Sequence, residues 1–428
     1  MDKFDVIIAG AGLAGLGAAY TLAGSGLEVL VLERGDYPGA KNMTGGRLYL
    51  NPVRSLFPDL FDNAPFERFI AHEGVTLLAK DRAVAMHYTG RELKDEPHHS
   101  YTILRAKFDR WLGERVEEKG GTVLSKTRID DIIKDNGKIA GVIAGCDELR
   151  ADVVLACDGV LSLVSEKAGL RKPAKNSNFA LGIKEVITLD STTINERFGL
   201  EGNEGAARLF VGKVTQGKFG GGFLYTNRES VSLGIVMGIE EAAEETQPID
   251  VPALIEAFKA RPEIAPLIRG GSSAEYSAHI IPEGGFRAID SIVGDGILVT
   301  GDAAGLALNI GFTVRGMEFA LASGYFAAQA VLKAKEAGRF DAGTLGIYRK
   351  LLEESFVLKD LRNFRDTPSV IGNPRFFNHY PELAGAIMKD IYEVPAGRKE
   401  RIYPTVRKHL SIREMWDIFS DIRRTMKI

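Results

Sequence analysis

Cysteine is scarce. The 428 residues include two, Cys146 and Cys157. Two thiols cannot build a disulfide framework, a zinc site or a self-contained iron–sulfur cluster, which needs about four thiolates. Both fall at or near the ends of predicted strands and read as buried core thiols of a protein from a reducing compartment. An excess of one charge is also missing: the net charge of −3 excludes a global pull toward nucleic acid. There is no internal repeat or low-complexity tract. An apolar fraction of 45% with 26% charged residues excludes disorder and fibres. The uncharged run from Val6 to Leu27 is long enough to cross a bilayer. It is interrupted by six glycines and preceded by Asp2, Lys3 and Asp5, which fits neither a spanning helix nor a signal peptide. His98-His99 has no companion ligand cluster at useful spacing and reads as a solvated loop, so no metal is expected.

Glycine is plentiful: 48 residues, where ordinary usage of ~7% would give about 30. Those glycines belong where backbone bends sharply or approaches something closely. The length predicts two or three domains. The first 33 residues read as a strand (Phe4 to Ala9), a helix from about Leu13 to Ser25, and a second strand (Glu28 to Glu33). In that setting Gly10-Ala11-Gly12-Leu13-Ala14-Gly15 is a dinucleotide fingerprint. Gly10 permits the turn, Gly12 admits a pyrophosphate, and Gly15 lets helix and strand pack. The helix N-terminus holds phosphate, and Glu33, followed by Arg34, is placed for the ribose hydroxyls.

A second element points to FAD rather than a nicotinamide. An apolar strand ends in Gly301-Asp302, where the carboxylate can hold a ribityl hydroxyl. Then come Gly311-Phe312-Thr313-Val314 and an apolar helix from about Met317 to Ala337, whose start aims N–H groups at the flavin pyrimidine edge.

These residues resemble the glutathione-reductase-type FAD fold, in the branch of aromatic hydroxylases, geranylgeranyl reductases and electron-transfer-flavoprotein:quinone oxidoreductases. Further stretches carry the resemblance. Ala40-Lys41-Asn42-Met43-Thr44-Gly45-Gly46-Arg47 looks like the loop passing the flavin ring, and Tyr101 to Asp109 like the segment bearing Arg105. Cys157-Asp158-Gly159 matches the branch's Asp-Gly motif; Asp158 and Asp302 are read as backbone and cofactor positioners, not as an acid–base pair. Ile129 is placed for adenine. Phe219-Gly220-Gly221-Gly222-Phe223-Leu224-Tyr225 and Tyr276 to Gly285 look like the quinone oxidoreductase pattern. The similarity spans nearly the whole chain and is strongest to Fix-type flavoprotein subunits, which lack the four-iron cluster of single-chain quinone oxidoreductases.

The resemblance implies an α/β chain in three parts. A discontinuous FAD-binding Rossmann domain takes residues 1–71, 100–165 and 286–344. A β-sheet domain for quinone takes 72–99 and 166–285, and a helical C-terminal region takes 345–428. It implies no catalytic side chain, since the chemistry belongs to the flavin. Phe219, Gly220, Gly221, Phe223 and Tyr225 would form the quinone slot. The implied partners are electron-transfer flavoprotein subunits of alpha and beta type, a small ferredoxin-like iron–sulfur protein and a membrane quinone, in an electron-bifurcating complex. A NAD(P)H-dependent hydroxylase or a geranylgeranyl-reductase-like isoprenoid reductase is the alternative on the same scaffold.

From Pro395 to Ile428 nine basic residues face four acidic ones, and Ile412, Met415, Trp416, Phe419 and Ile422 recur at helical spacing. This segment reads as an interfacial helix drawn to anionic lipid, as a helix packed on the body, or as a subunit-docking surface. The expected location is the cytoplasmic face of the membrane, peripheral or monotopic, without a spanning helix.

Overall fold

The computed structural model of the chain describes residues 3–43, 45–173, 175–243 and 249–428. Lys3–Ala9, Val29–Leu32, Thr122–Leu124, Asp147–Ala156 and Ile297–Val299 pair in parallel, with Lys3–Ala9 central between Asp147–Ala156 and Val29–Leu32. Val6, Ile7, Ile8, Val153, Val154 and Leu155 are fully buried, as strands covered on both faces require. A hairpin, Asp131–Asp135 and Lys138–Ala144, joins Asp147–Ala156 antiparallel.

Helix Leu13–Leu22 covers this sheet together with helix Met317–Glu336. The two helices approach through small residues. A Cβ on Gly17 would sit 3.0 Å from the Leu321 carbonyl oxygen, and one on Gly324 would overlap that of Ala14. Residues more than 300 positions apart are thereby locked beside one another.

The second sheet runs in the order Ser272–Pro282, Phe179–Thr188, Ser230–Gly238, Gly220–Thr226, Glu204–Gly212, Phe69–Leu78, Ser100–Ile103 and Gly46–Tyr49, with Ala83–Thr89 also on Phe69–Leu78. All its pairs are antiparallel except Glu204–Gly212 with Phe69–Leu78. One face packs Ile183, Phe210, Leu224 and Ile235 against Phe258 of helix Val251–Lys259 and Ile194 of helix Ser191–Phe198. Gly46–Tyr49 and Ser100–Ile103, assigned above to the first domain, hydrogen-bond within this second sheet. Tyr348, Leu352, Val357 and Leu361, assigned to the C-terminal region, lie in the core of the first. The three-part division is therefore a proposal about folding units, across which the packing is continuous.

Two local readings are corrected. Cys146 is exposed, at a hairpin turn, while Cys157 is buried and accepts a 3.0 Å hydrogen bond from Thr300 Oγ1. Burial pushes the Cys157 thiol up to about 12, so it is unreactive. His98 is half-buried rather than solvated: its ring stacks on Phe69 at 3.8 Å between centroids, just before strand Ser100–Ile103 of the second sheet, while His99 is exposed. Among the described residues no cluster of His, Cys, Asp or Glu could hold a metal ion, and no helix is long and apolar enough to cross a membrane.

Candidate functional site

Parallel pairing places the C-terminal ends of Lys3–Ala9, Val29–Leu32, Asp147–Ala156 and Ile297–Val299 together, so Gly10, Glu33, Asp158 and Asp302 meet at one edge of the first sheet. They line a cavity of about 710 Å³ that runs from this edge across the second sheet. Sequence neighbours did not predict this convergence; sheet order made it.

Gly10 has φ +99°, and a Cβ there would lie 2.6 Å from the Cys157 carbonyl oxygen. Gly12 caps helix Leu13–Leu22 without a side-chain hydrogen bond. A Cβ on Gly12 would meet no described atom nearer than Asn42 Nδ2, at 4.0 Å. The space before the helix end is open, with free N–H groups facing it, which is the cradle a pyrophosphate requires. Glu33 braces this turn. One carboxylate oxygen accepts from Ala11 N at 2.9 Å and the other from Gly35 N at 2.6 Å, leaving lone pairs for a ribose.

The flavin-ring loop is held from two directions. Asn42 Nδ2 donates to Asp109 Oδ2 at 2.6 Å, and Asp109 is clamped by Arg105 through two bonds of 2.8 and 2.7 Å. From below, Lys184 Nζ donates to the Gly45 carbonyl. Arg47 is tied to the second sheet by Glu73 Oε2 at 2.9 Å and Ser100 Oγ at 2.9 Å. Thr44, expected at the cofactor, lies outside the described residues. Two carboxyls await a partner in the cavity wall. Asp158 Oδ2 accepts from Val164 N at 2.9 Å, while its buried Oδ1 has no partner. Asp302 faces the cavity, its carboxyl raised by burial and opposed by the Arg105 charge.

The cavity brings together most of the expected residues: Gly10, Gly12, Leu13, Ala14, Glu33, Arg34, Lys41, Asn42, Gly45, Gly46, Arg47, Arg105, Ile129, Asp158, Gly159, Asp302, Gly311 and Val314. Ala11, Gly15, Gly301, Phe312 and Thr313 are not in its lining. Ala11 and Gly15 are buried behind the turn, Gly301 N is bonded to Ser323 Oγ, and Phe312 is exposed. The Gly311 N–H is already bonded to Asn309 Oδ1 at 2.9 Å. Phe219, Gly220, Gly221, Phe223 and Tyr225 line the other half with Leu209 and Val211, and the Phe223 and Tyr225 rings stack at 5.2 Å. The cavity is thus one continuous space, polar where glycine-rich backbone and carboxylates face it and apolar beyond.

The sequence reading missed Lys184, His279, Glu283 and Asn309. A lysine inside the apolar strand Phe179–Thr188 was the one available signal for the first; the others needed the fold. Lys184 is 1% exposed, and burial pushes its ammonium down to about 7 against the attraction of Glu275. A lowered base costs stability as pH falls from the unfolded value of about 10.4 to 7, since the unfolded chain takes up the proton first. Stability carried by the neutral amine is therefore present above pH 10 and lost toward pH 7. Across pH 9.5 to 7.5 the wild-type urea midpoint is expected to fall relative to that of Lys184→Met. The difference should change by at most about 1.4 kcal/mol per pH unit. A constant difference rejects the buried amine.

The cradle, the braced acid and the unpartnered carboxyls are those of an FAD-binding flavoprotein. Residues 3–197 match the FAD binding domain family. The chain is 43% identical to protein FixC of Escherichia coli (strain K12) over 408 residues, 95% of each chain. It is likewise 43% identical to the probable electron transfer flavoprotein-quinone oxidoreductase YdiS of the same organism, over 95% of each. Identity to protein FixC of Rhizobium meliloti is 41% over 99% of this chain and 98% of that one. A geranylgeranyl bacteriochlorophyll reductase-like protein of Thermoplasma acidophilum shares the fold, with a TM-score of 0.74 at 19% identity, covering 99% of this chain and all of that one. The chain belongs to the electron-transfer-flavoprotein:quinone oxidoreductase family, on its FixC-type branch, and is an FAD-dependent oxidoreductase.

Proposed function

We propose that this chain takes electrons onto FAD from an electron-transfer flavoprotein of alpha and beta subunits and passes them to a membrane quinone. FAD would supply the chemistry, two-electron storage; the chain binds, orients and keeps water out. Gly12 and the start of helix Leu13–Leu22 offer backbone N–H groups to the pyrophosphate, the Gly10 and Ala11 amides being bonded to the Leu32 carbonyl and Glu33, while Glu33 offers the ribose contact and Asp302 the ribityl contact. Arg34, Arg105 and the start of helix Met317–Glu336 supply positive potential where negative charge would develop. Two cysteines, one exposed and one inert, leave any iron–sulfur cluster to a separate ferredoxin-like subunit. A division of electrons between quinone and a low-potential acceptor would occur on the partner flavoprotein.

The observation that carries this reading is the continuity of the dinucleotide cradle with an apolar slot walled by Phe219, Phe223 and Tyr225. Gly221 is a poor place to test it, because a Cβ there would lie 2.6 Å from the Phe210 carbonyl oxygen. Phe219, in edge contact with Phe377 at 5.7 Å, is a side chain that can be trimmed. The photoreduced holoprotein should be reoxidised by a soluble quinone analogue, and Phe219→Ala should slow this about tenfold with the flavin spectrum unchanged. Steady oxygen-dependent NAD(P)H consumption by the isolated protein would instead support the hydroxylase alternative.

The C-terminal helix supports a peripheral membrane location. Helix Ile412–Thr425 starts with a capping box from Ser411 and Glu414 and turns its acidic side to the body. Asp421 is clamped by Arg375 through two 2.7 Å bonds and also accepts from Tyr380 Oη; Asp417 lies 3.5 Å from Arg375. Arg375 first, then Tyr380, holds the Asp421 carboxyl down at about 2. With the polar side pinned inward, Ile412, Met415, Trp416, Phe419, Ile422 and Met426 are exposed, Trp416 by 67% and Phe419 by 59%. These side chains do not pack on the body, which supports the lipid-facing reading of the stripe. Arg413, Arg423, Arg424 and Lys427 flank the stripe, the pattern that favours an anionic bilayer surface, which we place on the cytoplasmic side.

A further inference from the structure

Four carboxyls line the cavity. Glu33 is occupied by the Ala11 and Gly35 amides, Asp158 by the Val164 amide, and Asp302 stands on the Gly301 turn beside Arg105. The fourth, Glu283, belongs to none of these cofactor contacts. It follows the edge strand Ser272–Pro282, whose residues Ala278 to Pro282 line the apolar side of the cavity. Its own N–H is bonded to the Asn178 carbonyl at 2.8 Å, which holds the backbone. Asn309 Nδ2 donates to Glu283 Oε2 at 3.3 Å, and Asn309 Oδ1 accepts from Gly311 N. One amide side chain therefore joins this carboxyl to the loop that precedes helix Met317–Glu336. Glu283 thus lies in the cavity wall between the apolar residues of strand Ser272–Pro282 and the loop before helix Met317–Glu336.

We propose that Glu283 is the acid that delivers a proton to the quinone oxygen as electrons arrive, a role resting on the quinone reading above. Reduction of a quinone to a quinol takes two electrons and two protons. Bound FAD in its reduced anionic form would supply both electrons and one proton. The Glu283 carboxyl breaks its O–H bond to supply the second. The products are quinol, oxidised flavin and the Glu283 carboxylate, with total charge unchanged, and water restores the carboxylic acid.

The surroundings suit an acid held neutral near pH 7. From the loop Leu308–Arg315 the neutral Asn309 amide bonds the carboxyl, while Arg315, also in the cavity wall, is paired with Glu318 and Asp360; the turn Asn176–Asn178 presents a backbone carbonyl. On the same strand the titratable groups are Glu275, Tyr276 and His279; of these His279 lines the cavity, its imidazole lowered by burial and then by Arg105 and Arg34. Arg34, Arg105 and Asp302 lie elsewhere in the cavity wall, and among the described residues none forms an ion pair with Glu283. Burial pushes the Glu283 carboxyl up to about 7, with Asn309 alone opposing. This is the range in which a group both gives and recovers a proton readily.

The test is single-turnover reoxidation of the photoreduced holoprotein by a soluble quinone analogue between pH 5.5 and 8.5. The expected wild-type rate is flat at low pH and falls tenfold per unit above about 7. Glu283→Gln should be about a hundredfold slower and independent of pH. Glu283→Asp should recover part of the rate and the pH dependence. Infrared difference spectra of the oxidised holoprotein supply a readout that needs no turnover. A carboxylic-acid carbonyl band should titrate near pH 7 and be missing in Glu283→Gln. A band titrating near the ordinary glutamate value, or a Glu283→Gln rate profile equal to wild type, overturns the proposal while leaving the quinone reading intact. Failure of wild type to reduce the quinone analogue at any pH overturns both.

Discussion

Replacing Gly12 with valine is expected to give a folded but colourless protein. The Gly12 backbone already has an ordinary φ of −85°, and its Cβ direction is open to 4.0 Å. No protein contact therefore opposes a larger side chain; what it would displace is the pyrophosphate. The prediction is flavin content below about a tenth of one per chain after purification, with far-ultraviolet circular dichroism unchanged. Gly15 supplies the contrast. A Cβ there would overlap the Gly10 carbonyl oxygen, so Gly15→Val should lose the fold together with the flavin. Stoichiometric flavin in Gly12→Val would show that the phosphates lie elsewhere.

Removing the outward aromatic face of the last helix should abolish attachment to anionic vesicles. Burying a large apolar side chain is worth about 2 kcal/mol, so Trp416→Ser with Phe419→Ser forfeits about 4 kcal/mol, roughly a thousandfold in partition. Both side chains project away from the body, and the double variant should keep its flavin and its thermal midpoint. Co-sedimentation with vesicles of mixed anionic and neutral lipid measures the partition, and the Trp416 emission maximum should shift to the blue on binding in wild type. Equal sedimentation of wild type and double variant would show that this face does not meet lipid. A wild-type protein that ignores vesicles but retains its electron-transfer flavoprotein through this helix would make it a docking surface.

The parts of the site closest to the N-terminus were legible because they are local. Gly10 to Gly15 with Glu33 form one strand–helix–strand unit, and a turn's steric demands are written in the residues that make it. Asp302 was legible for the same reason, as the end of an apolar strand. Cys146 was misread because a predicted strand end was equated with burial; the residue sits on a hairpin turn and meets solvent. His98 was misread in the opposite direction: polarity and a neighbouring proline suggest solvent, and only the Phe69 ring beneath it says otherwise. Lys184 and Glu283 escaped notice because burial, rather than residue type, makes each unusual, and burial is set by strands distant in the chain.

By itself the sequence determined the cofactor class, which follows from short-range spacing, and through the resemblance of its motifs the family; its two cysteines are too few to ligate an iron–sulfur cluster. Tertiary structure decided how Gly46–Tyr49 and Ser100–Ile103 join the second sheet, which carboxyls line the cavity, and which side of the last helix faces outward. The helix is the clearest case. Its apolar stripe is evident from periodicity, but a stripe buries itself against whatever is nearest. The Arg375–Asp421 clamp, which bridges 46 positions of chain, turns the acidic side inward and leaves the stripe to the outside. Periodicity records that a helix has two faces, and only long-range ion pairing selects between them.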